Sequence, residues 1–213
     1  MLTIRNETPA DRQTVEDITR RAFYNLYAPG CVEHYLVHIM RDHPDFIPEL
    51  DLVAELDGQV VGSVMYTRSA LTDAAGAVKD ILTFGPVSIA PEHQRKGYGK
   101  QLLEHSFRRA AELGWDVVVI FGSPANYVSC GFQSCKKFSV CLEGGKFPSA
   151  MMVKELREGA LDGRKWVYRD SPVMAIDEEE ARRYDDTLAP MAREYRPSQE
   201  EFYIMSHSCV VEG

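Results

Sequence analysis

The run Gln94-Arg95-Lys96-Gly97-Tyr98-Gly99 constrains this chain more than any other stretch, because it joins a strand-like segment, Leu82 to Ala90, directly to a strongly helical one, Lys100 to Leu113. Glycine at positions 97 and 99 lets the backbone bend tightly with no Cβ in the way, so successive N–H groups can converge at a helix N-terminus. N–H groups at such an end lack intrahelical partners and carry a partial positive charge, which suits a phosphate. Arg95, Lys96 and Lys100 add a local basic excess to a chain of formal net charge -8. That contrast points to a small anionic ligand and away from nucleic acid. Two common phosphate loops are excluded. A Walker loop requires Gly-Lys-Ser/Thr, whereas Gly99 is followed by Lys100 and Gln101. A dinucleotide fingerprint starting at Gly97 requires Gly or Ala where the chain has Leu102. Taken alone, the two glycines also suit a plain turn that caps a helix.

The surrounding residues narrow the choice. Gln94-x-x-Gly97-x-Gly99, preceded by Gly85-Pro86-Val87-Ser88-Ile89 and followed by an amphipathic helix, resembles the acetyl-CoA signature of the GNAT acetyltransferase superfamily, Q/R-x-x-G-x-G/A. Asn126-Tyr127-Val128-Ser129-Cys130-Gly131-Phe132 resembles that family's tyrosine-containing short helix closed by Gly-Phe, and the strand Val117 to Phe121 lies between the two motifs. The resemblance is strongest from Leu82 to Phe132. It implies an α/β chain with a GNAT-like acyl-CoA N-acyltransferase fold at residues 1–156, in which a mixed, mostly antiparallel sheet has splayed central strands. Residues 157–213 form a C-terminal extension packed on that domain. Acetyl-CoA is then the cosubstrate. By the same resemblance the backbone of Val87, Ser88 and Ile89 binds the pantetheine arm, while Gln94, Arg95, Lys96, Gly97, Tyr98, Gly99 and Lys100 form the pyrophosphate site.

Composition agrees with a folded enzyme. At 213 residues and 45% hydrophobic, the chain can bury a substantial core. No apolar stretch approaches the ~20 residues of a membrane span, and the opening Met1-Leu2-Thr3-Ile4-Arg5-Asn6-Glu7 turns polar too early for a signal-peptide core. Five cysteines, Cys31, Cys130, Cys135, Cys141 and Cys209, form an odd set that points to free thiols and a cytoplasmic location.

The order of elements follows from patterning. Leu2 to Arg5 alternates like a strand. Thr8-Pro9-Ala10-Asp11 reads as a cap, a first-turn proline and an acid opening a helix that runs to about Tyr27. Val32 to Arg41 is helical by its apolar spacing. Leu52 to Leu56, Gln59 to Arg68 and Val78 to Ala90 read as antiparallel strands, the first two joined at Asp57-Gly58. Pro86 has no N–H for a ladder and, beside Gly85, predicts a bulge. The helix after the loop should turn Leu102, Leu103, Phe107, Ala110 and Leu113 to the sheet and end at Gly114. In the extension, Trp166 to Tyr168 and Val173 to Ile176 suggest strands, Asp177 to Ala189 a helix, and Ser198-Gln199-Glu200-Glu201 a capping box.

Acyl transfer to an amine needs a deprotonated nucleophile, a stabilised oxyanion and a proton for the departing thiolate. Tyr127 is the expected proton donor. A phenol of pKa near ~10 can serve a thiolate of pKa ~8.5 when the two are held in contact. By the same resemblance, the backbone N–H near Val87 would polarise the thioester carbonyl. Thr83-Phe84-Gly85-Pro86 offers no carboxylate base, which leaves Asp80, Glu55, Glu92 or water. His34 and His38 lie one helical turn apart without the glutamate of a zinc motif, so no metal is expected. Together with Glu33 they are expected to border the acceptor site, while the buried-type cysteines serve packing. The extension can complete the core, cover the acceptor site or form a homodimer. The resulting expectation is an N-acetyltransferase acting on a small-molecule or peptide amine, with no nucleic-acid or membrane partner. The alternatives are a non-catalytic acyl-CoA-binding module and an interaction protein built on the same scaffold.

Overall fold

Asp57 and Gly58 both take positive φ, 50° and 85°, the geometry that a two-residue Asp-Gly hairpin demands, and the hairpin they close joins two strands of the central sheet. The computed structural model describes residues 1–211. Its strands are β1 (Leu2–Asn6), β2 (Leu52–Leu56), β3 (Gln59–Asp73), β4 (Val78–Ile89), β5 (Val117–Phe121), β6 (Gln133–Ser134), β7 (Val140–Cys141), β8 (Met151–Glu155) and β9 (Trp166–Arg169). The order is β1-β2-β3-β4-β5-β8-β6, with β9 beside β3 and β7 beside β9. Two pairs are parallel, β4 with β5 and β7 with β9; the others are antiparallel. This is the expected mixed, mostly antiparallel α/β architecture.

The bulge falls where Pro86 predicts it. Tyr66 faces Phe84 and Val64 faces Val87, so β4 carries one extra residue across Gly85-Pro86. Beyond it β4 and β5 diverge: among the described residues they share one registered pair, Leu82 with Val118. The central strands therefore splay, and the Val87–Ile89 edge of β4 has no neighbouring strand on that side.

Side-chain alternation divides the core between two faces. Helix α3 (Tyr98–Glu112) packs Leu102, Leu103, Phe107 and Ala110 against Leu52, Ala54, Val64, Tyr66, Leu82 and Phe84. On the opposite face, α1 (Arg12–Phe23) and α2 (Glu33–Met40) bring Val15, Leu36, Val37 and Met40 against Val53 and Met65. In β5, Val118 and Ile120 join the α3 layer while Val117 and Val119 pack with Met151, Val153 and Trp166, as its unbroken apolar run suggests. Leu113 departs from expectation and is 39% exposed. The helix has already ended, with the Gly114 N–H on the Ala111 carbonyl and that of Trp115 on the Ala110 carbonyl.

The start of α1 also differs from the sequence reading. The Asp11 carboxylate accepts from the Thr8 N–H (2.8 Å) and hydroxyl (2.7 Å) and is gripped by Arg5 at 2.7 and 2.9 Å. Asp11 thus anchors a turn ahead of the helix, which begins at Arg12. Its other end stops at Phe23, because Asn25 enters the left-handed region (φ 62°) and accepts the Gly30 N–H on its side chain.

Two acids meet behind β2. Asp51 is 8% exposed, and one oxygen of each of Asp51 and Glu7 is buried without a partner, although Arg41 serves the other Glu7 oxygen at 2.8 Å. A proton shared by the two carboxyls accounts for both orphans. Burial, followed by the charge of Glu7, pushes the Asp51 carboxyl up to about 8. A folded-state value above the unfolded one stabilises the fold fully below the unfolded value, and that stabilisation is lost as pH rises through about 8. Asp51→Asn supplies a permanent donor to Glu7. Its melting temperature should change little from pH 6 to 9 while that of the wild type falls, leaving the variant about 3 °C or more higher at pH 9. Parallel melting curves for the two proteins would contradict the shared proton.

The extension is woven into the same layers. β9 pairs with Ala70 to Asp73 of β3. Val173 to Ile176, expected as a strand, instead begins within a 3-10 turn at Pro172–Met174. Helix α5 (Glu178–Asp185) is capped by Asp177, whose carboxylate accepts the Glu179 and Glu180 N–H groups, and it ends short of the expected Ala189. The capping box before α6 (Pro197–Ser206) does not form. Pro197 opens the helix, the Ser198 hydroxyl donates to the Leu26 carbonyl at 2.8 Å, and the Gln199 amide donates to that of Asn25 at 3.1 Å. These bonds fasten the extension to the α1–α2 connection.

Candidate active site

In the loop between β4 and α3, the Gln94 side-chain amide donates back to the Ile89 carbonyl at 3.0 Å. Arg95 (φ 61°) and Gly97 (φ 82°) take left-handed conformations that turn the chain sharply into the helix. The first turn bond of α3 runs from the Gln101 N–H to the Gly97 carbonyl at 3.1 Å, and no side chain caps the helix start. The N–H groups of Tyr98, Gly99 and Lys100 are thereby left for a ligand.

These groups open onto a cleft of about 510 Å3 lined by Val87, Ser88, Ile89, Gln94, Arg95, Gly97, Tyr98, Gly99, Lys100 and Tyr127. Lys96 does not line it. Its ammonium turns back to donate to the Glu92 carbonyl at 2.8 Å. The strand wall is fixed from behind, since the buried Ser88 hydroxyl lies 3.0 Å from both Thr19 Oγ1 and Ser63 Oγ. Gly62 lets β3 approach there, because a Cβ on it would stand 2.7 Å from the Ser88 carbonyl oxygen. The opposite wall comes from Ala22, Phe23, Leu26 and Tyr27 at the end of α1, which the sequence reading did not single out. The aromatic cluster Phe23-Tyr24-Tyr27, just where the helix breaks, was the available signal.

Tyr127 closes the inner end of the cleft. It sits on α4 (Pro124–Tyr127), and Gly131 (φ 89°) ends the following turn as the Gly-Phe pair predicted. Its ring packs against Phe84 and Phe132 at centroid distances of 5.7 and 6.0 Å. Burial, and then the proximity of Tyr27 and Cys130, holds the phenol well above its ordinary value, so it stays protonated. Among the described residues its hydroxyl has no hydrogen-bond partner. Gly122, which sequence reasoning missed, makes room for the ring: a Cβ there would fall 2.6 Å from Tyr127 Cε2.

None of the carboxylates considered from sequence lines the cleft. Glu55 accepts from Arg5 at 2.8 Å, Glu92 pairs with Arg21 at 3.0 Å, and Asp80 is exposed on β4. Glu33 instead lines a second cavity of about 370 Å3 that shares Phe23 and Tyr27 with the cleft.

The two histidines, expected beside Glu33 at the acceptor site, line neither the cleft nor this cavity. His34 is fully buried, with Nδ1 3.1 Å from Cys31 Sγ and Nε2 3.3 Å from Asp185 Oδ1. His38 lies 3.2 Å from Glu16 and stacks on Tyr184. The Cys31, His34 and Asp185 order has the layout of a nucleophilic thiol site, yet its electrostatics oppose one. Burial pushes the Cys31 thiol up to about 12 and the His34 imidazole down to about 4, so the neutral pair persists. Arg20 at 2.7 Å and Arg193 at 3.1 Å hold Asp185 in place. The cluster is a structural knot between α1, α2 and α5. Cys130, Cys135 and Cys141 are buried, in keeping with packing roles.

The sequence profile of the Acetyltransferase (GNAT) family matches residues 14–134, a span that contains the loop, the splayed strands and Tyr127. The uncharacterized N-acetyltransferase YhbS of Escherichia coli K12 is 29% identical over 161 residues, which make up 75% of this chain and 90% of that protein. The crystal structure of Escherichia coli YhbS in complex with CoA superposes with a TM-score of 0.70 at 24% identity, covering 82% of this chain and 92% of that one. A GNAT family acetyltransferase from Brucella melitensis in complex with acetyl-CoA gives 0.64 at 22% identity, covering 82% and 98%. The chain belongs to the GNAT acetyltransferase family.

Proposed function

We propose that the chain transfers the acetyl group of acetyl-CoA to a primary amine by direct attack within a ternary complex. The observation that carries this reading is the continuity of one cleft, which runs from the uncapped start of α3 along the unpaired edge of β4 to the Tyr127 hydroxyl. The CoA and acetyl-CoA complexes of the two related structures support it. The first-turn N–H groups of α3, with Arg95 and Lys100, hold the pyrophosphate. The β4 edge at Val87 to Ile89 pairs with the amides of the pantetheine arm, and the Val87 N–H polarises the thioester carbonyl. The amine first loses a proton to bulk water to become nucleophilic. Its nitrogen forms the new C–N bond, the C–S bond breaks, Tyr127 gives its proton to the departing sulfur, and the second proton lost by nitrogen restores the phenol through water. Held in contact with the phenol in the cleft, the departing thiolate can take its proton although burial raises the phenol's pKa.

Amine-dependent release of CoA thiol, with the acetylated product identified by mass, tests the reading. Binding of acetyl-CoA without turnover of any amine would favour a non-catalytic acyl-CoA-binding module instead. Gly122→Ala should lower turnover by about 10- to 100-fold by displacing the Tyr127 ring, with the melting temperature little changed. Full activity in that variant would show that the ring position is not critical. Residues 157–213 serve, in this reading, to wall the acceptor side through α5 and α6. The five unpaired cysteines suit a cytoplasmic protein, and among the described residues no helix is long and apolar enough to cross a membrane.

A further inference from the structure

The second cavity has a chemistry of its own. It meets the acyl-CoA cleft at Phe23 and Tyr27, which line both, and Phe202 of α6 stacks on Tyr27 at 4.4 Å to extend an aromatic wall. Its volume of about 370 Å3 is more than twice the ~150 Å3 of a cavity that holds benzene, enough for an aryl ring and a short alkyl chain. Glu33, at the start of α2, also lines it. One of its oxygens accepts the Val32 N–H at 3.0 Å, and among the described residues no cationic side chain pairs with it. Burial raises its carboxyl above the ordinary range. A half-buried carboxylate without a counter-charge is less favourable than a paired one, and a ligand ammonium supplies the pair. The cations in the wall, Arg182 and Arg193, lie on the extension, and Arg193 is already engaged by Asp185 at 3.1 Å. Two acids, Glu33 and Glu178, offset by two arginines, make poor lodging for a polycation.

We propose that this cavity is the acceptor chamber and that it takes a primary amine carried on an aromatic or similarly sized apolar body, with the ammonium beside Glu33 and the body against Phe23, Tyr27 and Phe202. The inference rests on the acetyl-transfer reading above and adds the substrate class to it. Polyamines, with several separated charges, and aminoglycosides, with little apolar surface, are excluded by the same chemistry.

The test is an initial-rate panel of phenethylamine, tryptamine, spermidine, an aminoglycoside and a lysine peptide, run with wild type, Glu33→Gln and Phe202→Ala, alongside calorimetric titration of each protein with acetyl-CoA. The arylalkylamines should show kcat/KM at least 100-fold above the polyamine and the aminoglycoside. Glu33→Gln should raise the arylalkylamine KM by 30-fold or more with acetyl-CoA affinity unchanged, and Glu33→Asp should restore part of the loss. Phe202→Ala should erode the preference for aryl bodies. Preference for the polyamine, the aminoglycoside or the peptide overturns the assignment of the chamber. Failure of the wild type to bind acetyl-CoA, or binding with no amine of the panel acetylated, overturns the transfer reading beneath it. Retained acetyl-CoA binding reports that each variant is folded; should Glu33→Gln not fold, Phe202→Ala with the wild-type panel decides the question.

Discussion

In the Gly99→Glu variant, affinity for CoA and acetyl-CoA is expected to fall by at least about 100-fold, equivalent to about 2.7 kcal/mol, with the melting temperature close to that of the wild type. The two glycines of the loop are required for different reasons. Gly97 takes φ 82°, which disfavours any side chain, although a Cβ there would meet no atom within 4 Å. Gly99 is within the first turn of α3 at an ordinary backbone angle, and its Cβ would rest 3.5 Å from Ile89 Cγ1, an ordinary contact. Gly99→Ala should therefore be tolerated by the fold and largely by the ligand. A glutamate at the same position places a carboxylate over the free N–H groups of Tyr98, Gly99 and Lys100, where it occupies the anion site and repels the pyrophosphate. Gly97→Glu should lose binding equally but also lose stability, since it adds backbone strain. Unchanged affinity in Gly99→Glu, measured by titration on a folded sample, would mean that no phosphate sits at this helix start.

Tyr127→Phe should lower kcat by about 10²- to 10³-fold while acetyl-CoA affinity changes by no more than a few-fold, as expected for the loss of a proton donor rather than a binding contact. The substitution is clean. The ring keeps its packing against Phe84 and Phe132, and the hydroxyl it removes has no partner among the described residues, so the fold should be as stable or slightly more so. Rapid-quench kinetics with the best amine separate the chemical step from product release. Turnover at the wild-type rate would remove Tyr127 from the mechanism and leave water to protonate the sulfur.

The parts of this site that were legible in the sequence are those whose chemistry is local. A glycine loop between a strand and a helix, a proline that cannot join a ladder and a Gly-Phe pair after a short helix each state their conformation within a few residues. The bulge and most of the α3 core face followed from them, while the splayed sheet and the place of Tyr127 followed from the family resemblance that these motifs carry. The features that escaped depend on partners far away in the chain. Asp11 was read as a first-turn acid because Arg5 is not visible as its partner from helical spacing. Ser198 looks like a cap until the Leu26 carbonyl claims its hydroxyl. Lys96 has the same composition cue as its basic neighbours, yet it folds back onto the Glu92 carbonyl. Gly122 is meaningful only beside the Tyr127 ring. The second cavity needs Glu33, Phe23 and Phe202 to meet, and no pattern in the sequence joins α2 to the last helix.

The central claim is that the cleft at the start of α3 is an acyl-CoA site, and calorimetric titration of the purified chain with acetyl-CoA tests it most directly. Saturable binding at one site per chain, competed by CoA, is the predicted result. A folded wild-type protein that gives no binding with either compound would contradict it, and would reduce the loop from Gln94 to Lys100 to a turn that starts a helix.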